Sequence, residues 1–331
     1  MSIDILMKQL KSKKLNNLYL FYGPEAFMKK YYTDSVVEHQ VKSGSEEFNK
    51  VILEGKVDAG RIIEACHTMP FFSDGKVVIV RNSGLFKNKN SEEDTLISFL
   101  KNIPDFTVLL FVEDEVDKRL KTFKTTKEIG LIVEFDFQKP AELTKWVVKV
   151  FRKSNKAIDT KCASRIVEYC EPNMTEILNE IDKVIMYMGD ETNVKTEHIE
   201  AVVVKSIKTI IFDLMDAIFE KKSSKAISLL HDMLYLKEPH VRIVFMIARQ
   251  IRQVLELKAL LEMGIPTGQA GSKLKVAPFI LKKLTRQVKN YDIETLKNAM
   301  IECLKLDTDI KTGQIDPQTG IELFIIKYST I

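Results

Sequence analysis

The residues whose types and spacing come nearest to doing chemistry are Gly23-Pro24-Glu25-Ala26-Phe27-Met28-Lys29-Lys30, which follow the apolar run Leu18–Tyr22. A phosphate-binding loop needs a glycine, four residues, then Gly-Lys-Ser/Thr. Its amides cradle the phosphates, the lysine reaches the terminal ones and the hydroxyl holds magnesium. Gly23 and Lys29 stand at that separation, but Met28 occupies the position of the close-approach glycine and Lys30 that of the hydroxyl. Phe27 and Met28 are expected to crowd the space a phosphate would fill. The expectation is a loop that keeps the strand–turn–helix outline and has lost nucleotide chemistry. An active ATPase with an atypical loop is the alternative. Phe111-Val112-Glu113-Asp114-Glu115 is a second fragment of the same kind. Acids after an apolar strand can hold magnesium or activate water, although an acidic turn after any buried strand looks the same.

Met69-Pro70-Phe71-Phe72, before the turn Ser73-Asp74-Gly75, is different in kind. Two adjacent aromatics cannot both point inward on a regular strand. Either they cap the edge of a sheet as core, or they form an exposed plug for a partner's pocket, where burying one phenylalanine is worth about 1.5–3 kcal/mol. Other constellations are missing. His39, His67, His198, His231 and His240 show no metal spacing, and Cys66, Cys162, Cys170 and Cys303 form no CxxC pair. The cysteines read as reduced, buried small hydrophobes. No cofactor or metal is implied.

The elements that must position these residues fall into two patterns. In the first 140 residues, strands at Leu18–Tyr22, Lys76–Val80, Thr107–Val112 and Leu131–Phe137 alternate with helices at 26–42, after Asp58, and at Asp94–Leu100. Such alternation implies a parallel sheet covered on both faces, an α/β domain. After Lys139-Pro140 only helices are expected. Thr160, Asn173 and Thr196 are the candidate caps there, and Asn173 with Glu176 makes a capping box. Gly264, Pro266, Gly268 and Gly271 mark a loop. The expected division is an α/β domain at 1–140, a small helical domain at 141–206 and a second helical domain at 207–331.

Composition sets limits. Fifty basic and 46 acidic side chains leave a net charge of +4, weak for a protein that grips nucleic acid alone. Basic clusters at 8–14, 118–127 and 282–289 also fit solvated helix faces. Apolar runs such as Val108–Val112 are far below the roughly 20 residues of a membrane span. No apolar leader follows Met1-Ser2-Ile3-Asp4, so a cytoplasmic location is expected.

Taken in order, the segments resemble the delta subunit family of bacterial DNA polymerase III, an AAA+-like clamp-loader family. The likeness runs through 18–27, 69–73, 77–82, 117–119, 179–183 and 211–218, and closes with Asp307–Gly313 and Asp316-Pro317. It implies a RecA-like domain without a working P-loop, a helical lid, and a collar that assembles with other subunits. Expected partners are the tau/gamma ATPase subunits and delta-prime in a heteropentamer, the beta sliding clamp, and primer-template DNA within the complex. The chain would be a non-catalytic component of a nucleotidyltransferase holoenzyme. The family's clamp-contacting wedge falls on Met69, Phe71 and Phe72. Two aromatics stand where the family often has an aliphatic–aromatic pair.

Overall fold

Runs of β-branched, leucine and aromatic residues form a parallel sheet from β1 Leu18–Tyr22, β2 Lys50–Glu54, β3 Lys76–Arg81, β4 Thr107–Glu113 and β5 Leu131–Glu134, in the order β2-β3-β4-β1-β5. This computed structural model describes residues 2–12, 14–88, 92–274, 276 and 278–330. The connecting helices are α1 Ser2–Ser12, α2 Ala26–Gln40, α3 Glu46–Asn49, α4 Ala59–His67, α5 Glu93–Leu100 and α6 Lys121–Ile129. Alternation along the strands divides the core. Leu18, Leu20, Val78, Val80, Leu109 and Phe111 meet α4, α5 and Phe123 on one face. Tyr19, Phe21, Val77, Ile79, Val108 and Leu110 meet Leu6, Leu10, Val36 and Val37 on the other. Burial on both faces explains why the central strands read as unbroken apolar runs.

Helices α7 Pro140–Lys153, α8 Thr160–Tyr169, α9 Met174–Met188 and α10 Thr196–Val202 follow. Most of this segment shares a compact unit with the sheet, covering Met1–Val167 and Pro172–Val202. The other unit covers Glu168–Glu171 and Val203–Ile331. Its helices are α11 Ile207–Phe219, α12 Ser223–Tyr235, α13 His240–Glu262, α14 Thr267–Lys273, α15 Pro278–Gln287, α16 Ile293–Lys311 and α17 Pro317–Thr330. They close on a core that includes Leu214, Leu230, Ile243, Val254, Leu284 and Ile321.

Four sequence expectations need correction. Strand β2 was not expected, because its three apolar residues are bracketed by Lys50 and Glu54 and it lies half-exposed at the sheet edge. Strand β5 ends at Glu134 rather than Phe137, since the chain then bends to strap Gly23: Phe135 N donates to the Tyr22 carbonyl (2.7 Å) and Glu25 N to the Phe135 carbonyl (3.0 Å). Asp159, not Thr160, caps α8, accepting from Cys162 N at 2.6 Å. The Gly/Pro-rich stretch near 264–271 contains α14 instead of being loop throughout. A Cβ on Gly271 would lie 2.5 Å from Leu281 Cδ2, so that glycine serves close packing against α15.

Candidate functional site

The strand–turn–helix at 18–40 is built as the motif suggests, and a carboxylate of the chain itself stands at the N-terminus of its helix. Gly23 has φ +117°, and a Cβ there would stand 2.4 Å from the Phe135 carbonyl oxygen; only glycine meets both demands. Two residues on, Glu25 is fully buried and caps α2, its Oε1 accepting from Phe27 N at 3.1 Å. Its Oε2 accepts from Met174 N, the first residue of α9, at 3.3 Å. One carboxylate thus lies at the positive ends of two helices, where a phosphate-binding loop would receive its anion. Burial raises the Glu25 pKa, and the Met174 and Phe27 amides with the nearby Lys29 charge pull it back.

The remaining motif residues, Lys30 apart, are engaged elsewhere. Phe27, expected to crowd the phosphate space, sets its ring edge-on to Trp146 with centroids 5.3 Å apart. Met28 joins the apolar cluster around Tyr19 and Phe21. Lys29 is buried, donating from Nζ to the Glu113 carbonyl (3.1 Å) and to Asp114 Oδ1 (2.6 Å). Lys30, at the hydroxyl position, is exposed. The acids closing β4 are also taken. Glu113 is buried and its Oε1 accepts from Ser83 N (3.0 Å) and Ser83 Oγ (2.6 Å), while Glu115 pairs with Lys87 at 2.8 Å. Burial raises the Glu113 pKa against the bonds from Ser83 and Gly84. Among the described residues there is no group of three or more His, Cys, Asp or Glu placed to hold a metal.

Residues 68–75, between α4 and β3, show the opposite arrangement. Met69, Phe71 and Phe72 are 77%, 53% and 78% exposed. The Phe71 and Phe72 rings meet with centroids 4.1 Å apart, and Phe72 holds φ +55°, a left-handed conformation rare for a bulky residue. The backbone beneath them is secured. Buried Lys76 donates from Nζ to the Thr68 carbonyl (3.0 Å), and Lys42 N donates to Ser73 Oγ (3.2 Å). Asn49 Oδ1 accepts from Phe71 N, and Asn49 Nδ2 donates to the Phe71 carbonyl, both at 2.7 Å. Gly75 lies close under Gln40, so a Cβ there would displace the end of the Gln40 side chain, 2.3 Å away at Nε2. The aromatic pair is therefore not core.

Two neighbours of this loop were not foreseen. Phe48 is 61% exposed, with its ring centroid 5.5 Å from that of Phe71, and Asn49 is fully buried. In sequence they are a lone aromatic and an amide behind two glutamates. Nothing local points from them to a loop 22 residues on.

Comparisons with known proteins cover both units. Residues 19–157 match the family model for the DNA polymerase III delta subunit, and residues 208–328 match the model for the C-terminal domain of that same family. DNA polymerase III subunit delta of Bacillus subtilis (strain 168) is 26% identical over 329 residues, 97% of this chain and 95% of that one. The solved structure of the Bacillus subtilis DNA clamp loader delta protein is similar over 100% of both chains, with 25% identity and a TM-score of 0.65.

Proposed function

The chain belongs to the DNA polymerase III delta subunit family, the clamp-loader delta subunits, and from that premise we propose that it binds and opens the beta sliding clamp through Met69, Phe71 and Phe72 without hydrolysing ATP. Its architecture is the RecA-like, AAA+-type parallel-sheet domain of this family followed by helical domains. The observation that carries the clamp reading is the loop itself: apolar side chains face outward while the backbone that bears them is hydrogen-bonded from several sides. An exposed apolar group on a fixed support is what an interface anchor requires, since little freedom remains to be lost on binding.

Opening then follows from differential affinity. A ligand shifts a closed–open equilibrium only by the ratio of its affinities for the two states. A wedge that fits a pocket beside the clamp's subunit interface more tightly in the open geometry draws the ring toward opening. Energy for the cycle comes from ATP bound by the neighbouring tau/gamma subunits, with delta-prime completing a heteropentamer around primer-template DNA. Residues 1–140 act as the clamp-facing domain, 141–206 as the lid and 207–331 as the assembling collar. Phe245, Ile301, Leu304 and Leu323 are large apolar side chains left exposed on α13, α16 and α17, as a surface that assembles would leave them. No helix among the described residues is long and apolar enough to cross a membrane.

The reading that this chain needs no nucleotide rests on Glu25 and Asp114, which already engage the helix N-terminus and the lysine. The test is capture of the cognate clamp by wild type and by the Phe71→Ala/Phe72→Ala variant, with melting temperatures measured alongside. Lost capture at unchanged melting temperature supports the wedge; a large fall in stability with retained capture overturns it.

A further inference from the structure

We propose that Asn49 is the positioning residue of the apolar loop, and that Phe48 contributes a fourth side chain to the same clamp-contacting surface. The inference rests on the clamp reading of Phe71 and Phe72 and extends it to a segment outside the loop, at the junction of α3 and β2.

Asn49 is fully buried, an unusual place for a polar side chain unless its donors and acceptor are matched. Its carbonyl oxygen accepts from Phe71 N at 2.7 Å. Its amide nitrogen donates to the Phe71 carbonyl at 2.7 Å and to the Ser45 carbonyl at 3.0 Å. The side chain thus pairs with both backbone groups of one residue, as a neighbouring strand would, and the second donated bond fixes its own orientation. Phe71 is the residue held, so its ring is directed outward with its backbone already ordered. Phe72 follows at φ +55°, a conformation that an untethered chain would leave.

Phe48 is adjacent to the tether and lies ring-to-ring with Phe71, tilted by 59°. Its 61% exposure has no folding benefit, since an aromatic there buries little against its own chain. Placed against Phe71, it widens the apolar surface into a cluster from two segments. Contiguous apolar groups of this kind mark binding surfaces, and aromatic anchors within them carry most of the affinity. The occupant is an apolar pocket of the sliding clamp, because the patch is continuous with the wedge assigned to it.

The experiment measures clamp affinity for the full chain carrying Asn49→Ala, Phe48→Ala, Phe71→Ala/Phe72→Ala, and each single change added to the double one. Asn49→Ala is expected to weaken clamp binding about tenfold, from loss of the two hydrogen bonds that hold Phe71, and Phe48→Ala by roughly five- to tenfold. Asn49→Ala, which acts through Phe71, should weaken it no further in the Phe71→Ala/Phe72→Ala background, which a general loss of folding would do, whereas Phe48→Ala should keep a loss of its own there. Hydrogen exchange should speed up at the Phe71 amide in Asn49→Ala and stay unchanged in the sheet. If the double aromatic variant binds the clamp like wild type, the clamp reading itself falls. If that variant loses binding while Asn49→Ala and Phe48→Ala keep wild-type affinity, this inference falls alone. Should Asn49→Ala fail to fold, Phe48→Ala decides, since its side chain is mostly in solvent and its removal leaves the tether intact.

Discussion

The turn at 23–29 and the loop at 68–75 belong to the same compact unit, and they treat their chemically capable groups in opposite ways. In the turn, groups that could bind a nucleotide are bonded to the protein. Glu25 lies at the helix N-termini, Lys29 holds Asp114, and Glu113 holds Ser83. In the loop, the backbone is bonded to the protein while the side chains are left to solvent. On the proposed function, a site is silenced by giving its functional groups internal partners, and kept ready by giving internal partners only to their support. The largest effects on binding should therefore come from the loop, and the effects of the turn should be confined to stability.

The sharpest way to break that contrast is Phe71→Ala/Phe72→Ala. Each ring is worth about 1.5–3 kcal/mol when buried by a partner, so clamp affinity should fall by at least a hundredfold. Stability should change by less than about 0.5 kcal/mol, as for other exposed positions. Titration calorimetry with the clamp and thermal melting of the same samples check both halves.

Glu25→Ala comes next in size and reverses the pattern. It removes a charge-assisted acceptor from two helix N-termini and leaves the Met174 amide unpartnered. Allowing for the relief of burying a carboxylate, the loss should be about 2 kcal/mol, or roughly 4–8 °C in melting temperature. Clamp affinity should not follow. Equal loss of clamp binding would show that the turn and the loop are not separate devices.

How much of this was legible in the sequence differs between the two regions for physical reasons. Gly23 and Lys29 are readable because a strand–turn–helix with a fixed glycine–lysine separation is a local pattern. That Glu25 stands at two helix N-termini is not, because its second partner, Met174, is 149 residues away. The adjacency of Phe71 and Phe72 shows that both cannot point inward on a regular strand, whereas the bonds of Asn49 to the Phe71 backbone join residues 22 apart and leave no local pattern. Strand β2 went unread because a half-exposed edge strand between charges lacks the run of apolar residues that marks β3 and β4. Helix α14 went unread because glycine disfavours helices by propensity, whereas Gly268 and Gly271 both lie inside one here.

Lys29→Met is a smaller perturbation with a sharp qualitative readout. It removes two bonds and also the cost of holding an ammonium in the interior, and its carboxylate partner Asp114 is 70% exposed and screened. The change in stability should stay within about 1 kcal/mol. Neither wild type nor variant should bind a fluorescent ATP analogue. Micromolar, magnesium-dependent binding by wild type, abolished by Lys29→Ala, would restore the reading of an ATPase with an atypical loop.

Glu113→Gln should have the smallest effect, and it tests whether the acid at the end of β4 is only a structural acceptor. Both bonds from Ser83 reach the same carboxylate oxygen, so the amide oxygen of glutamine can keep them, and the Gly84 amide is the one contact the change can disturb. Burial holds the folded-state pKa above the ordinary value of 4.5. The folded protein therefore binds the proton more tightly than the unfolded chain. The stabilising contribution is fully present below about pH 4.5 and is lost as pH rises through the folded-state pKa. Glutamine is permanently neutral and does not titrate. Melting curves from pH 4.5 upward should thus show a shallower decline for Glu113→Gln than for wild type, with the variant equal or slightly superior at neutral pH. A variant markedly less stable at neutral pH would mean that the ionised carboxylate is itself required, which an internally saturated relic does not predict.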